Sequence, residues 1–406
     1  MFRFLQKLSR TDKTLLFTCF FAFFCNGTLS LTMGSVMPDL KAAYGLSDTL
    51  SGVLLSAHSA GNMIAGFVSG VIPLYLGRKR SITLLAATAY IGYLLAMLFS
   101  SPVMLIAAFL LTGIGRGSVT NFNTRTVNVL TDGSPAASNL LHAVFAGGAI
   151  LAPMVFLGLR NAFSWRVGLF WTLGLGCACV VRLATVEMEE DLKQRKKDGH
   201  QGMGFLKDPA FRILAMMMFC YLCSEYAING WLVTYIQHKD VLLQTFGQDT
   251  AAQTAGMRAY SQMMATLLWV VMLIGRLACA ALSGRFSQRR MMLVFSVGVA
   301  LFFFLMLMGQ SVLTVTCAVA GLGLCMAGIC PMIYADAAYY TNTYPLATGT
   351  ILAIGSVGAI VMPTMVGFVA ERLGFLGGMG VILLTMLLLI VFAFLNTVTR
   401  RSYERA

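Results

Sequence analysis

Charge is sparse in this chain, and acidic charge sparsest: 16 Asp and Glu stand against 29 Lys and Arg in 406 residues, and charged residues make up 11% of the whole. That scarcity excludes a soluble domain, because a chain that is 58% hydrophobic has too little polar surface to meet water. Also missing is any Gly-x-x-x-x-Gly-Lys-Ser/Thr loop, so no nucleotide site is expected. No grouping of nucleophile, base and orienting residue occurs, which argues against an enzyme. No small-residue cleavage site follows Arg3, Lys7, Arg10 and Lys13. The apolar run that continues to Pro38 therefore reads as a first spanning helix and not as a signal peptide. The ten cysteines all fall in apolar runs and read as small buried hydrophobes. Cys220 and Cys223 have CxxC spacing but lack the loop context of a metal site, so no metal or other cofactor is expected. A net charge of +13 would suggest nucleic acid in a soluble chain, but here loop topology accounts for it and no nucleic-acid partner is expected.

What is present is a series of long apolar runs. A span needs about 20 predominantly apolar residues, and twelve can be laid down. They cover 14–37, 50–74, 81–100, 103–127, 136–158, 166–186, 209–236, 261–282, 290–309, 312–338, 347–371 and 377–398. With both termini inside, 19 of the Lys and Arg fall in cytoplasmic segments, six in outer segments and four within spans. That bias sets the expected orientation. The fold class is thus an all-α membrane protein.

A polar, mixed-charge insert at 187–208 separates a first six-helix bundle (1–186) from a second (209–406). The two halves repeat. Gly148-Ala-Ile-Leu-Ala-Pro153 recurs as Gly358-Ala-Ile-Val-Met-Pro363, and Gly113-Ile-Gly recurs as Gly321-Leu-Gly. Ser69-Gly70 ahead of Arg-Lys-Arg recurs as Ser283-Gly284 ahead of Gln-Arg-Arg. Two six-helix repeats joined by a charged linker resemble the major facilitator superfamily. The loop Gly70-Val-Ile-Pro-Leu-Tyr-Leu-Gly77-Arg78-Lys79-Arg80 resembles its Gly-x-x-x-Asp-Arg-x-Gly-Arg-Arg/Lys signature, with Leu74 and Tyr75 at the Asp and first Arg positions. More narrowly, the stretches from Asn139 to Pro153 and from Phe219 to Tyr235, with Gly275-Arg276, resemble fucose permease-like sugar transporters. That branch places a carboxylate in the first span and another in the fourth; neither is present here.

The polar residues inside spans are the site candidates, since an intramembrane ionisable group costs several kcal/mol and is retained for a reason. On the fourth span Arg116, Thr120 and Asn123 share a face, while Asn121, Arg125 and Asn128 lie opposite, because nine residues at about 100° separate Arg116 from Arg125 by about 180°. Arg125 reads as structural, with Asp132 as its expected partner. Apart from Glu371 at the very end of the eleventh, only two acids fall within spans, Glu225 and Asp336. Tyr221, Glu225 and Asn229 share one face of the seventh span, a grouping suited to a solute or a proton, and Trp231 could stack on a sugar ring. His142 could titrate near neutral pH, and His58 with Asn62 forms a further polar pair in the second span. Asp336 reads as a substrate contact or as the partner of a loop arginine.

The resemblance implies a secondary transporter working by alternating access, with its site near the midplane among spans 1, 4, 5, 7, 8, 10 and 11. A sugar or sugar derivative is the leading solute and a proton a possible co-substrate in symport. Alternatives are an organic anion or sugar acid held by Arg116, and multidrug efflux. The protein is expected to be a monomer in the bilayer of a bacterial inner membrane. A non-transporting sensor is disfavoured, as the segments outside the first and last spans are short.

Overall fold

The computed structural model describes residues 8–131, 135–188, 204–247, 249–282, 287–344 and 347–399. Asp132, Ser283, Gly284 and most of the 187–208 insert lie outside these described residues. Within them every long element is a helix: α1 (Arg10–Tyr44), α2 (Asp48–Val71), α3 (Pro73–Leu76), α4 (Arg78–Leu98), α5 (Pro102–Leu130), α6 (Pro135–Ala162) and α7 (Trp165–Thr185). After the insert come α8 (Pro209–Gln237), α9 (Thr250–Leu282), α10 (Gln288–Met308), α11 (Val312–Asp336), α12 (Ala338–Thr343) and α13 (Ala347–Val398).

Among the described residues, eleven helices are long and apolar enough to cross a membrane. α13 has 52 residues, which at about 1.5 Å per residue is more than twice a hydrocarbon core of about 30 Å. It breaks at Gly374, whose φ of 73° and ψ of 170° are non-helical, so it contains both the eleventh and the twelfth expected spans. The helix boundaries follow local chemistry. Ser9 and Asp12 form a reciprocal capping box at the start of α1, and Gly45, at φ 64°, ends it in the left-handed region. Pro102 and Pro209 occupy first-turn positions where a missing N–H does no harm. α9 begins eleven residues before the expected eighth span, because Thr250–Tyr260 extends the helix with polar residues that a hydrophobicity criterion passes over.

The chain divides into two compact units, Met1–Leu46 with Val53–Gln194, and Ser47–Gly52 with Arg195–Ala406. Each is held by glycines that let backbones touch, the membrane substitute for a hydrophobic driving force. In the first unit Gly27 and Gly148 face the backbones of Phe145 and Phe24, locking α1 to α6, while Gly61 and Gly113 face those of Leu110 and His58, locking α2 to α5. In the second, a Cβ at Gly358 would come within 2.7 Å of the Phe219 carbonyl of α8, and one at Gly323 within 2.7 Å of the Leu268 carbonyl of α9. Gly148 and Gly358 therefore do the same job in the two repeats. Gly113, however, is matched in role by Gly323, two residues beyond the Gly321 that the motif alignment suggests; Gly321 meets the Phe302 ring.

Gly77 ends α3 at φ 73° and ψ 164°, a region nearly closed to other residues. Gly77→Ala is expected to lower stability by about 1–3 kcal/mol, read as a lower thermal midpoint in detergent with unchanged helicity.

Candidate functional site

In the first unit, three helices each bring a polar pair at i, i+4 to one place. α1 supplies Asn26 and Ser30, α2 supplies His58 and Asn62, and α5 supplies Arg116 and Thr120. The Arg116 guanidinium donates through Nε to Ser30 Oγ at 2.7 Å and through Nη1 to Asn62 Oδ1 at 3.2 Å. Asn26 Nδ2 donates to the Arg116 carbonyl at 3.3 Å and to Thr120 Oγ1 at 2.9 Å. Ser30 Oγ in turn donates to the Asn26 carbonyl at 2.7 Å. One turn away His58 Nδ1 lies 2.8 Å from Thr112 Oγ1. The result is a half-buried cation whose planar fork is oriented by neutral oxygens on two other helices. Such a fork matches a carboxylate or phosphate bidentately.

Asn123 does not join this network. It is fully buried, and neither its amide nitrogen nor its oxygen meets a hydrogen-bond partner among the described residues. Arg125 is exposed and lies near a second cation, Arg78, while Asp132, the partner expected for it, lies outside the described residues. Arg78 itself lies 4.8 Å from the Phe122 ring centroid and donates to Thr126 Oγ1 at 2.7 Å. The signature-like loop is thus fastened to α5 through the arginine that follows Gly77, while Leu74 and Tyr75 are 79% and 81% exposed. His142 is exposed at the start of α6, edge-on to Phe23 at 5.8 Å.

The second unit has its own charged group. Tyr221, fully buried on α8, donates a hydrogen bond to Glu225 one turn on, and Arg276 of α9 lies close enough to act electrostatically on Tyr221. Cys330 of α11 feels both Glu225 and Arg276, so a carboxylate, a guanidinium, a phenol and a thiol converge from three helices. Asn229 accepts from Trp269 Nε1 at 3.1 Å. Trp231 is engaged elsewhere, donating to the Pro363 carbonyl at 3.0 Å and packing on Phe375. So is Asp336, which lies 3.6 Å from Arg289 and accepts from Asn396 Nδ2 at 2.8 Å. Asp336→Asn is expected to leave solute uptake within about twofold and to lower stability by about 1 kcal/mol, since a neutral amide can keep the Asn396 contact. Parallel uptake and thermal-unfolding assays check both.

Comparison with known proteins fits this architecture. A family model for the Major Facilitator Superfamily matches residues 19–257, more than half of the chain. The chain belongs to this superfamily. As in other facilitators, the helices are membrane spans and the protein is a multi-pass membrane protein. An uncharacterized MFS-type transporter of Yersinia pestis is 24% identical over 389 residues, covering 93% of this chain and 94% of that one. The 4-hydroxybenzoate transporter PcaK of Acinetobacter baylyi is 27% identical over 165 residues, 39% of this chain and 35% of the relative. Among solved structures, the nucleoside transporter NupG superposes with a TM-score of 0.70 at 16% identity, covering 96% of this facilitator and 98% of that chain. These likenesses reach the superfamily and not the fucose permease-like branch.

Asn26, Ser30 and Asn62 complete the arginine network, and Arg276 and Cys330 complete the carboxylate group. Each stands at i, i+4 from another polar residue or beside a glycine in an apolar run. The spacing that pairs His58 with Asn62 in the second span, applied to the first as well, would have found Asn26 and Ser30.

Proposed function

We propose that this facilitator moves a small organic anion, a carboxylate such as an aromatic or sugar acid, by alternating access. The observation that carries the reading is the Arg116 fork, oriented by Ser30 and Asn62 deep in α5. The charge balance supports it: the six spans of the first half contain Arg116, Arg125 and Arg182 and no acid. Arg125 and Arg182 are exposed, so Arg116 is the charge that these spans hold inside, and its positive field favours an anionic solute. The partial relative named for 4-hydroxybenzoate handles a carboxylate, which agrees. In the second half, Glu225 and Arg276 act with opposite sign on Tyr221 and Cys330, a balanced group better suited to opening and closing around the solute than to carrying a lone proton. A bacterial inner membrane, with both termini cytoplasmic, is the location favoured by the 19-to-6 distribution of basic residues.

A neutral sugar is the second reading, supported by the amides and hydroxyls of Asn26, Ser30, Asn62 and Thr120 around the arginine. A thermal-shift screen of the purified protein separates the two, because a ligand that binds the folded state raises its apparent stability. Aromatic acids and sugar acids are expected to raise the midpoint, and neutral sugars and nucleosides to leave it unmoved. The reverse pattern transfers the proposal to the sugar.

A further inference from the structure

At the end of the second unit remote from the 187–208 insert, α8 stops at Gln237 and the next residues are His238, Lys239 and Asp240, a base, a cation and an acid in succession. They line an open cavity of about 430 Å³ together with Tyr235, Leu307 and Phe375. The His238 ring lies over Phe375 with centroids 4.3 Å apart, and its Nδ1 is 2.8 Å from the Thr234 carbonyl. A carbonyl can only accept, so Nδ1 carries a proton, and in the neutral imidazole Nε2 is an acceptor without a partner among the described residues. Lys239 Nζ donates to the Leu307 carbonyl at 2.7 Å and to Tyr235 Oη at 3.3 Å, two of its three donors. Burial holds this ammonium below the usual lysine range, and none of the described residues places a carboxylate within ion-pair distance of it. Asp240 is exposed and makes no side-chain hydrogen bond or ion pair among the described residues.

One small cavity therefore presents a donor on a cation and two acceptors, His238 Nε2 and the Asp240 carboxylate. The complement of that set is a zwitterion with a phosphate at one end and a primary ammonium at the other. What lies beside the cavity says where such a zwitterion comes from. Leu301, Phe304, Leu305 and Met308 are spaced at i, i+3, i+4 and i+7 on α10, and are 51%, 46%, 37% and 45% exposed. They form an apolar stripe on the membrane-spanning helix that ends at Met308, next in sequence to Leu307 of the cavity lining. A headgroup in the cavity would have its acyl chains on that stripe.

We propose that this cavity seats the headgroup of a phosphatidylethanolamine-type lipid. Its phosphate accepts from Lys239, its ammonium donates to Asp240 and to His238 Nε2, and its chains cover the α10 stripe. A choline headgroup has no N–H to donate, and a glycerol headgroup brings no positive charge to Asp240, so both fit less well.

Native mass spectrometry of the full-length protein in detergent tests this with phosphatidylethanolamine, phosphatidylcholine and phosphatidylglycerol of identical chains. The ethanolamine lipid is expected to be retained about tenfold better than either, and Lys239→Met and Asp240→Asn each to lower its retention about tenfold. Asp240→Asn touches no contact among the described residues, so its lipid-free thermal midpoint should equal that of the wild type. Soluble phosphoethanolamine and inorganic phosphate should leave the midpoint unshifted, as neither engages the stripe. Equal retention of the three lipids, or wild-type retention by both variants, overturns the proposal. A midpoint raised as much by phosphoethanolamine or phosphate as by the lipid overturns it too, and assigns the cavity to a free phosphate compound.

Discussion

Arg116→Gln is expected to lower carboxylate uptake about 100-fold while the protein stays folded. Glutamine keeps a donor for Ser30 or Asn62, so the folding penalty is that of imperfectly replaced hydrogen bonds, about 1–2 kcal/mol. The solute loses far more. Removing one partner of a desolvated, hydrogen-bonded charge pair costs about 2–5 kcal/mol, and 3 kcal/mol is about a factor of 100. Arg116→Lys separates charge from shape. A lysine restores the positive charge but not the planar fork that Ser30 and Asn62 hold from two sides, so uptake should recover only in part. Full recovery with lysine would mean that field alone selects the solute, and wild-type uptake with glutamine would remove Arg116 from the site.

Gly113→Val should have the largest effect on folding. A Cβ at this position overlaps the backbone carbonyl of His58, and a backbone atom cannot rotate away as a side chain can. α5 and α2 would have to separate, drawing Asn62 from Arg116 and His58 from Thr112. Overpacking of ordinary cores costs about 1–3 kcal/mol, and a backbone-to-backbone overlap belongs at or beyond the top of that range. The expected result is little monodisperse protein on size-exclusion chromatography. Gly158→Ala is the control. A Cβ there meets no atom within 4 Å, and alanine favours the helix over glycine by about 1 kcal/mol, so its thermal midpoint should equal or exceed the wild-type value. Equal behaviour of the two variants would mean that the α2–α5 contact is not close.

The twelve spans were legible because lipid imposes a single rule, that about 20 apolar residues must form a helix. Even the eleventh and twelfth, continuous in α13, are separated by the non-helical Gly374. The halves of the repeat were legible in Gly148 and Gly358, whose contacts with α1 and α8 correspond. The Gly113 repeat was read two residues out of register, because Gly-x-Gly offers two glycines and only neighbouring helices show which one is crossed. The site was legible one helix at a time. Arg116 with Thr120 and Tyr221 with Glu225 follow from spacing along a single helix. Ser30 and Asn62 reach Arg116 from other helices, and no spacing rule reports that. Asn123 illustrates the limit: it shares a face with Arg116 by periodicity, yet it is buried apart from the network, because a helical face is wider than the cavity or seam it meets.

Uptake into proteoliposomes of labelled 4-hydroxybenzoate, a labelled sugar acid and a labelled neutral sugar, by wild-type protein and Arg116→Gln in parallel, tests the central claim most directly. The account predicts saturable uptake of at least one of the two acids, reduced about 100-fold by the substitution, and no saturable uptake of the neutral sugar. Saturable uptake of the sugar, or acid uptake that Arg116→Gln leaves unchanged, would contradict it.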